Sequence, residues 1–290
     1  FTAANTDTQP ITATITVTPL FTDDIDCDGI QQTFTITVNP TAQVNDPADQ
    51  IICHTDSTSV TFTTENTGGT TTYEWTNDTP SIGLASSDTG DIASFNAVNN
   101  GTEPVTATIV VTPSFEGCEG TPQTFTITVN PTGQVDPIED QTLCNGEAIT
   151  AITFTTENTS GTTTYSWEND TPSIGLAATG TGDIASFNAV NTGTEPITAT
   201  IVVTPSFEGC DGPTETFTIT VNPTAQVNDP QDQIICNTDT TSVEFTTENT
   251  GGTTTYAWTN DTPSIGLGAS GDQDSISFNA VNTGTSPVTA

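Results

Sequence analysis

Apolar and polar positions alternate with a period of two along short stretches of the chain. In residues 33–38, Phe34, Ile36 and Val38 face one way while Thr33, Thr35 and Thr37 face the other, the pattern of a half-buried β-strand. Ile11, Ala13, Ile15 and Val17 alternate with threonines in the same manner. The same reading predicts strands at 60–64, 71–76, 93–98 and 105–111, separated by turn clusters such as NTGG, NDTPS and EGCEG. No segment carries the 3.6-residue period of an amphipathic helix.

These strand patterns recur. The octamer TFTITVNP starts at Thr33, Thr124 and Thr216, a step of 91 and then 92 residues. FTTENT returns at Phe62, Phe154 and Phe245, and NDTPSIGL at Asn77, Asn169 and Asn260. Two cysteine series, 53/144/236 and 27/118/210, keep the same step. Self-similarity at this period means tandem structural units. The expected division is the C-terminal part of one repeat at 1–40, complete repeats at 41–131 and 132–223, and the N-terminal part of a fourth at 224–290. Phe1 aligns with Phe95, Phe187 and Phe278, and Ala290 with Ala13, Ala107 and Ala199. Both ends thus fall inside a repeat, and the chain reads as a window on a longer array.

About seven short strands per repeat predict an all-β fold: immunoglobulin-like antiparallel β-sandwich domains strung end to end. The 13-residue step from Phe62 to Trp75 is similar to the step from the strand B cysteine to the strand C tryptophan in antibody domains. The expected core anchors are therefore Phe62 and Trp75, Phe154 and Trp167, and Phe245 and Trp258. Tyr73 shares a face with Trp75. That pair could form a carbohydrate-stacking platform, but core packing is the commoner fate of a strand C tryptophan.

Composition changes this picture in two ways. Threonine makes up about a quarter of the chain, and Leu, Ile, Val and Phe together about a fifth, close to the disorder range for a highly charged protein. The registered Trp, Cys and alternating apolar positions decide for a folded β-protein. The chain also has no Lys or Arg, 36 acidic residues and one histidine, a net charge of −36. That excludes nucleic-acid binding, which needs cations to displace counterions from phosphates. It also excludes direct contact with an anionic membrane surface, and any mechanism built on a catalytic lysine or an arginine clamp.

The run from QIIC through YEWTNDTPSIGL and PVTATIVVTPSFEGC to PQTFTITVNP resembles the PKD-like, Ig-type tandem repeats of giant Bacteroidota cell-surface adhesins. It departs from the PKD element W-x-F-G-D-G, reading Trp75-Thr-Asn-Asp-Thr-Pro instead. The resemblance implies an extracellular, outer-membrane-associated filament, exported by the type IX route and serving surface attachment and gliding. Its partners would be neighbouring repeats of the same chain, the gliding and type IX secretion machinery, and a surface or polysaccharide ligand held by other regions. It further implies O-glycans at D-S/T-x sites, for which Ser57, Thr240 and Ser275 are candidates. The alternative function is a carbohydrate-binding or spacer array of a secreted multidomain enzyme.

Six cysteines at fixed positions without any C-x-x-C pair point to disulfides and an oxidising compartment rather than to zinc. Pairing within repeats gives Cys53–Cys118 and Cys144–Cys210, with Cys27 and Cys236 bonding outside the window. Pairing across each boundary gives Cys27–Cys53, Cys118–Cys144 and Cys210–Cys236. The ends of an Ig sandwich are about 25–30 Å apart, so neither arrangement is geometrically simple. The intra-repeat pairs are expected because staples normally close a single domain.

Asp24, Asp26 and Asp28 match a D-x-D-x-D-G calcium loop, although Thr35 stands at the twelfth position where an EF-hand has Glu. Asp46 and Asp49, Glu139 and Asp140, and Asp229 and Asp232 lie near repeat boundaries, where calcium could relieve like-charge repulsion. No other cofactor is expected. His54, the single histidine, is replaced by Asn145 and Asn237 in the other repeats and reads as an exposed turn residue. With no base beside any Ser or Thr, no enzyme activity is expected.

Overall fold

The computed structural model describes residues 2–290; Phe1 and its alignment lie outside the described residues. The chain divides into two compact units. One contains the residues up to Gln134 together with Thr156–Thr164 and Pro205–Pro213; the other contains Val135–Thr155, Tyr165–Thr204 and Thr214–Ala290.

The first unit opens with β1 (Ile11–Val17), the short hairpin β2 (Leu20–Phe21) and β3 (Cys27–Asp28), and β4 (Gln32–Val38). Strands β1 and β4 pair antiparallel, Ile15 opposite Phe34. They correspond to the last two strands of a sandwich. With no facing sheet in this sequence, Ile11, Val17 and Phe34 stay about half exposed.

A complete sandwich follows. Its strands are β5 (Gln50–Cys53), β6 (Ser57–Val60), β7 (Thr71–Asn77), β8 (Ser87–Thr89), β9 (Ile92–Asn96), β10 (Val105–Phe115), β11 (Cys118–Glu119) and β12 (Gln123–Asn130). One sheet has the order β5-β12-β10-β7-β8, with β11 turning back onto β10; the other pairs β6 with β9. All pairings are antiparallel except β5 beside β12, which places Cys53 opposite Asn130. The core between the sheets holds Phe62, Trp75, Ile92, Ile109, Phe125 and Ile127, all buried. Phe62 sits between Tyr73 and Phe125, with ring centroids 5.4 and 6.3 Å away.

In the next repeat the pattern returns as β13 (Gln141–Cys144), β14 (Ala148–Ile149), β15 (Thr163–Asn169), β16 (Thr179–Thr181), β17 (Phe187–Asn188), β18 (Ile197–Phe207), β19 (Cys210–Asp211) and β20 (Glu215–Asn222), with β19 and the adjoining ends of β15 and β18 belonging to the first unit. The order β13-β20-β18-β15-β16 repeats that of the first complete sandwich. Phe154, Trp167, Ile201 and Phe217 fill the core. Then come β21 (Thr240–Glu244), β22 (Trp258–Thr259), β23 (Ser270–Gly271) and β24 (Ser275–Asn279), in the pairs β21–β24 and β22–β23.

Two expectations need correction. Phe245 and Trp258 are half-buried rather than core residues, because nothing after Ala290 in this sequence corresponds to the strands carrying Phe125 and Phe217. The strand expected at 60–64 lies instead at Ser57–Val60. The register shifts before Val60, and the backbone N–H of Phe62 is taken by the Asp91 carboxylate at 2.9 Å. NDTPSIGL forms a single 3₁₀ turn, Pro80–Ile82, with Pro in its first turn and Gly83 at its C-cap at φ 93. A Cβ there would meet the carbonyl oxygen of Asn96 at 2.5 Å, so only glycine fits. Asn77, buried, holds the turn by donating to the carbonyls of Leu84 and Ala85 and accepting from the N–H of Thr79.

Candidate functional site at the repeat junction

The junctions between consecutive repeats carry a recurrent set of polar contacts. In each case a threonine that closes FTTENT donates its backbone N–H to a carbonyl in the turn before the preceding repeat's penultimate strand. The pairs are Thr67 to Thr8, Thr159 to Thr102 and Thr250 to Thr194, each at 2.9 Å. Thr159 and Thr250 add a hydroxyl bond to the carboxylates of Glu103 and Glu195, both at 2.8 Å. Gln9 stands at that position in the first repeat.

The turn carrying these threonines also cradles the hairpin of its own repeat. The N–H of Thr162 donates to the Glu208 carboxylate at 2.7 Å, as Thr70 does to Glu116. Phe115 and Phe207, fully buried, sit beneath Gly69 and Gly161. The hairpin is a two-residue turn, Glu116-Gly117 or Glu208-Gly209, with both residues at positive φ, the conformation that matches strand twist. It sets Cys118 opposite Phe115 and Cys210 opposite Phe207.

At the other end of the sandwich, the first strand ends in a tight turn. Cys53 accepts from the N–H of Asp56, Cys144 from Glu147 and Cys236 from Asp239, all at 3.1 Å. The third turn residue is left-handed in every case: Thr55, Gly146 and Thr238. His54 belongs to this turn. Its Nδ1 accepts the N–H of Asn99 at 3.0 Å, the role taken by the Oδ1 of Asn145 towards Asn191 and of Asn237 towards Asn282. The histidine is thus a half-buried acceptor rather than an exposed turn residue.

Cys53 is bonded to Cys210, with Cα atoms 5.5 Å apart and a sequence separation of 157. The expected pairs Cys53–Cys118 and Cys144–Cys210 do not form, nor do the boundary pairs; Cys27, Cys118, Cys144 and Cys236 are exposed thiols. Strand direction explains the correction. Because β5 runs parallel to β12, Cys53 lies level with Asn130, at the end of its sandwich where the chain leaves for the next repeat. Cys118 is at the far end of β12, eight strand residues and roughly 26 Å away, far beyond disulfide reach. Cys210, on the hairpin of the following repeat, is held beside that exit: its carbonyl accepts the N–H of Gly133, just past β12, at 2.9 Å.

The hairpin sits flush on this exit segment. A Cβ on Gly212 would lie 1.7 Å from the carbonyl oxygen of Gly133, backbone that cannot swing aside. Gly212→Ala is therefore expected to cost about 1–3 kcal/mol by overpacking. Gly252→Ala, whose Cβ would meet nothing, is expected to stay within about 0.5 kcal/mol. Thermal melts of the two variants check this, and equal melting temperatures would contradict the close approach.

Two of the acidic candidates, Asp49 and Asp140, accept backbone N–H groups, as do Asp78 and Asp170. Asp49 takes the N–H of Thr126 at 2.6 Å and Asp140 that of Thr218 at 2.7 Å. Asp78 accepts from Thr108 N–H and Thr79 hydroxyl, and Asp170 likewise from Thr200 and Thr171. These backbone bonds hold the Asp49, Asp78 and Asp170 carboxyls below their ordinary range. Their stabilisation is complete above that range and is lost as pH falls through it. Asp24 and Asp26 lie in the β2–β3 turn and Asp28 in β3. Among the described residues no three His, Cys, Asp or Glu side chains come together to hold a metal.

Tyr73 and Trp75 are buried in the core, so no carbohydrate platform exists there. Of the N-x-S/T sequons, Asn77, Asn158 and Asn169 are buried while Asn100 is exposed. The O-glycan candidates Ser57, Thr240 and Ser275 are all exposed. The junction threonines were not anticipated from sequence; the signal was the recurrence of T-E-P at 102–104 and 194–196 at the same step as FTTENT.

No protein-family model matches the chain, and no curated protein matches it. Among solved structures it is similar to Dpr11 IG1 bound to DIP-gamma IG+IG2, at 9% identity over 63% of this chain and 99% of that one, with a TM-score of 0.31. It is also similar to the human desmocollin-1 ectodomain (12% identity, 89% of this chain, 57% of that one, TM-score 0.28). A third likeness is to mouse cadherin-23 EC22–24 (13%, 72% and 74%, TM-score 0.32). Such distant likenesses carry no weight on function. The fold rests on strand order and register within the chain itself: tandem immunoglobulin-like β-sandwiches.

Proposed function

We propose that the chain is a structural segment of a large cell-surface adhesin, a stalk or filament whose task is reach and tensile strength rather than catalysis. The observation that carries this reading is the Cys53–Cys210 bond, which joins one repeat to the next instead of closing a single domain. A disulfide is durable only in an oxidising compartment, which supports an extracellular location. The recurrent Thr–Glu contacts at successive junctions support the same view. An open depression of about 430 Å³ is lined in part by Glu168 and Asp170, and the Asp170 carboxylate is engaged by Thr200 and Thr171.

The resemblance of the repeats extends to SprB, the gliding-motility adhesin of flavobacteria, so attachment and gliding are the specific form of the proposal. Neighbouring repeats are the immediate partners, and the gliding and type IX machinery the remote ones. The chain has no Lys or Arg for trypsin to cleave after. Antibodies against it should therefore label intact producing cells and keep labelling them after trypsin shaving. Labelling only after lysis would overturn the reading. Co-purification of the chain in a soluble particle with a catalytic domain would favour the secreted-enzyme spacer instead.

The proposal needs no cofactor. Among the described residues no three carboxylates come together, and on this reading millimolar calcium is expected to change the melting temperature no more than magnesium does, through charge screening. A calcium-specific rise abolished by EDTA, and lost with Asp24→Asn, would show that the β2–β3 loop closes on the ion.

A further inference from the structure

The single disulfide leaves four exposed thiols in a chain whose cysteines otherwise keep strict repeat positions. We infer that Cys53–Cys210 is one rung of a ladder: the cysteine ending the first strand of each repeat bonds the hairpin cysteine of the repeat that follows. This goes beyond the adhesin reading and does not depend on it.

Both halves of the rung recur with shared local features, although the Cys27 hairpin has a five-residue loop where those of Cys118 and Cys210 have two residues, and no strand leads into the turn at Cys236. Cys144 and Cys236 occupy the same turn as Cys53, with the same backbone bond at 3.1 Å and the same left-handed third residue. Cys144 lies level with Asn222 at the exit of its sandwich, as Cys53 does with Asn130. On the other side, Cys27 faces Phe21 and Cys118 faces Phe115, as Cys210 faces Phe207. The base of the Cys118 hairpin also presses on the entry segment of its repeat: a Cβ on Gly120 would lie 1.9 Å from the carbonyl of Ala42, as one on Gly212 would from Gly133. The rule also accounts for which thiols stay unbonded. Cys144 and Cys236 need the hairpin of a following repeat, and this sequence supplies none beyond Cys210. Cys27 and Cys118 need the first-strand cysteine of a preceding repeat, and none stands before Cys53. Their partner is another copy of the repeat.

The ladder has a mechanical consequence. Tension entering at Cys53 crosses to Cys210 and bypasses the peptide between them. From Cys210 the shortest covalent path to the next rung is the 26-residue step to Cys236, which stretches to only roughly 90 Å. Two repeats of unbonded chain would extend to roughly 600 Å or more. A laddered array therefore cannot pay out length by unfolding its sandwiches.

Each rung forms when two thiols lose one proton apiece and two electrons in all, which reduce an external disulfide to its two thiols. The test uses the 290-residue chain extended after Ala290 by a second copy of residues 200–223, which completes the fourth repeat and adds one hairpin cysteine. Both proteins are refolded with oxidised glutathione as the oxidant. Thiols are then counted by alkylation, and bonds are mapped after cleavage at Asp and Glu. The parent chain should show four thiols. The extended chain should show three despite its added cysteine, with Cys144 bonded to the appended hairpin. Five thiols, or Cys144 bonded to Cys118 or Cys236, would overturn the ladder. Cys144→Ser in the extended chain should leave the appended cysteine free, whereas a bond from it to any other cysteine would also overturn the rule.

Discussion

Replacing Cys53 by serine is expected to destabilise two repeats at once. If only the first complete sandwich unfolds, its chain remains pinned at Cys53 to the folded hairpin of the next repeat. If only the second unfolds, it remains pinned to the folded first at Cys210. Either way a loop of about 80 residues stays closed, which corresponds to about 4–5 kcal/mol in the chain-entropy account; lost native bonds typically cost about 2–5 kcal/mol. For sandwiches of this size, each kcal/mol shifts the melting temperature by about 4–8 °C, so a fall of at least ~10 °C is expected for Cys53→Ser. Cys118→Ser removes only an exposed thiol and should stay within about 0.5 kcal/mol. Differential scanning calorimetry of both variants decides. A large drop for Cys118→Ser would restore the intra-repeat pairing and contradict the structure.

The second large effect belongs to the core. Trp75 is 3% exposed, between the sheets, and Trp75→Ala should cost about 3–5 kcal/mol through lost burial and the cavity left behind. That is a large share of the roughly 5–15 kcal/mol that holds a domain folded, so the first complete repeat should melt separately and early. The indole N–H of Trp75 is buried without a hydrogen-bond partner in the described structure. Trp75→Phe therefore removes an unsatisfied donor along with some volume, and should cost less than half as much as the alanine change. Trp258→Ala, at a half-buried position, should cost less than Trp75→Ala. Equal losses at the two tryptophans would show that the fourth repeat packs as fully as the second.

These contrasts show what could be read from the chain and what could not. Alternation located β7, β10 and β12 because each has one face on a core, so period two survives in the residues, and it located β4 by the same pattern although no sheet faces it in this sequence. It missed β5, where Ile51 is exposed and Ile52 packs inward over only four residues, too short for a pattern to register. It stopped β10 at residue 111, although the strand runs through Pro113 to Phe115. Pro113 is tolerated because β12 pairs with β10 only as far as Val111, and only its carbonyl is used beyond that, by Gly120.

The disulfide was not legible for a related reason. Spacing gives separations along the chain, but the parallel run of β5 beside β12 decides which pole Cys53 occupies. That single strand direction turns a staple within one domain into a bond between two. The acidic pairs carry a structural role that spacing alone did not reveal. Asp49 and Asp140 recur near boundaries, as interdomain ligands would, yet each is spent capping a backbone N–H on its own sheet edge. The all-negative surface that first served to exclude partners thus contains carboxylates with structural roles and, at Glu103 and Glu195, junction roles.

Pulling the 290-residue chain end to end, oxidised and then reduced, measures the central claim directly. With Cys53 bonded to Cys210, the 157-residue step between them is withheld from extension. Reduction should therefore lengthen the fully stretched chain by roughly 500–550 Å, released by breaking one bond. Two separate releases of roughly 220 Å each, as Cys53–Cys118 and Cys144–Cys210 would give, would contradict it, as would no change on reduction.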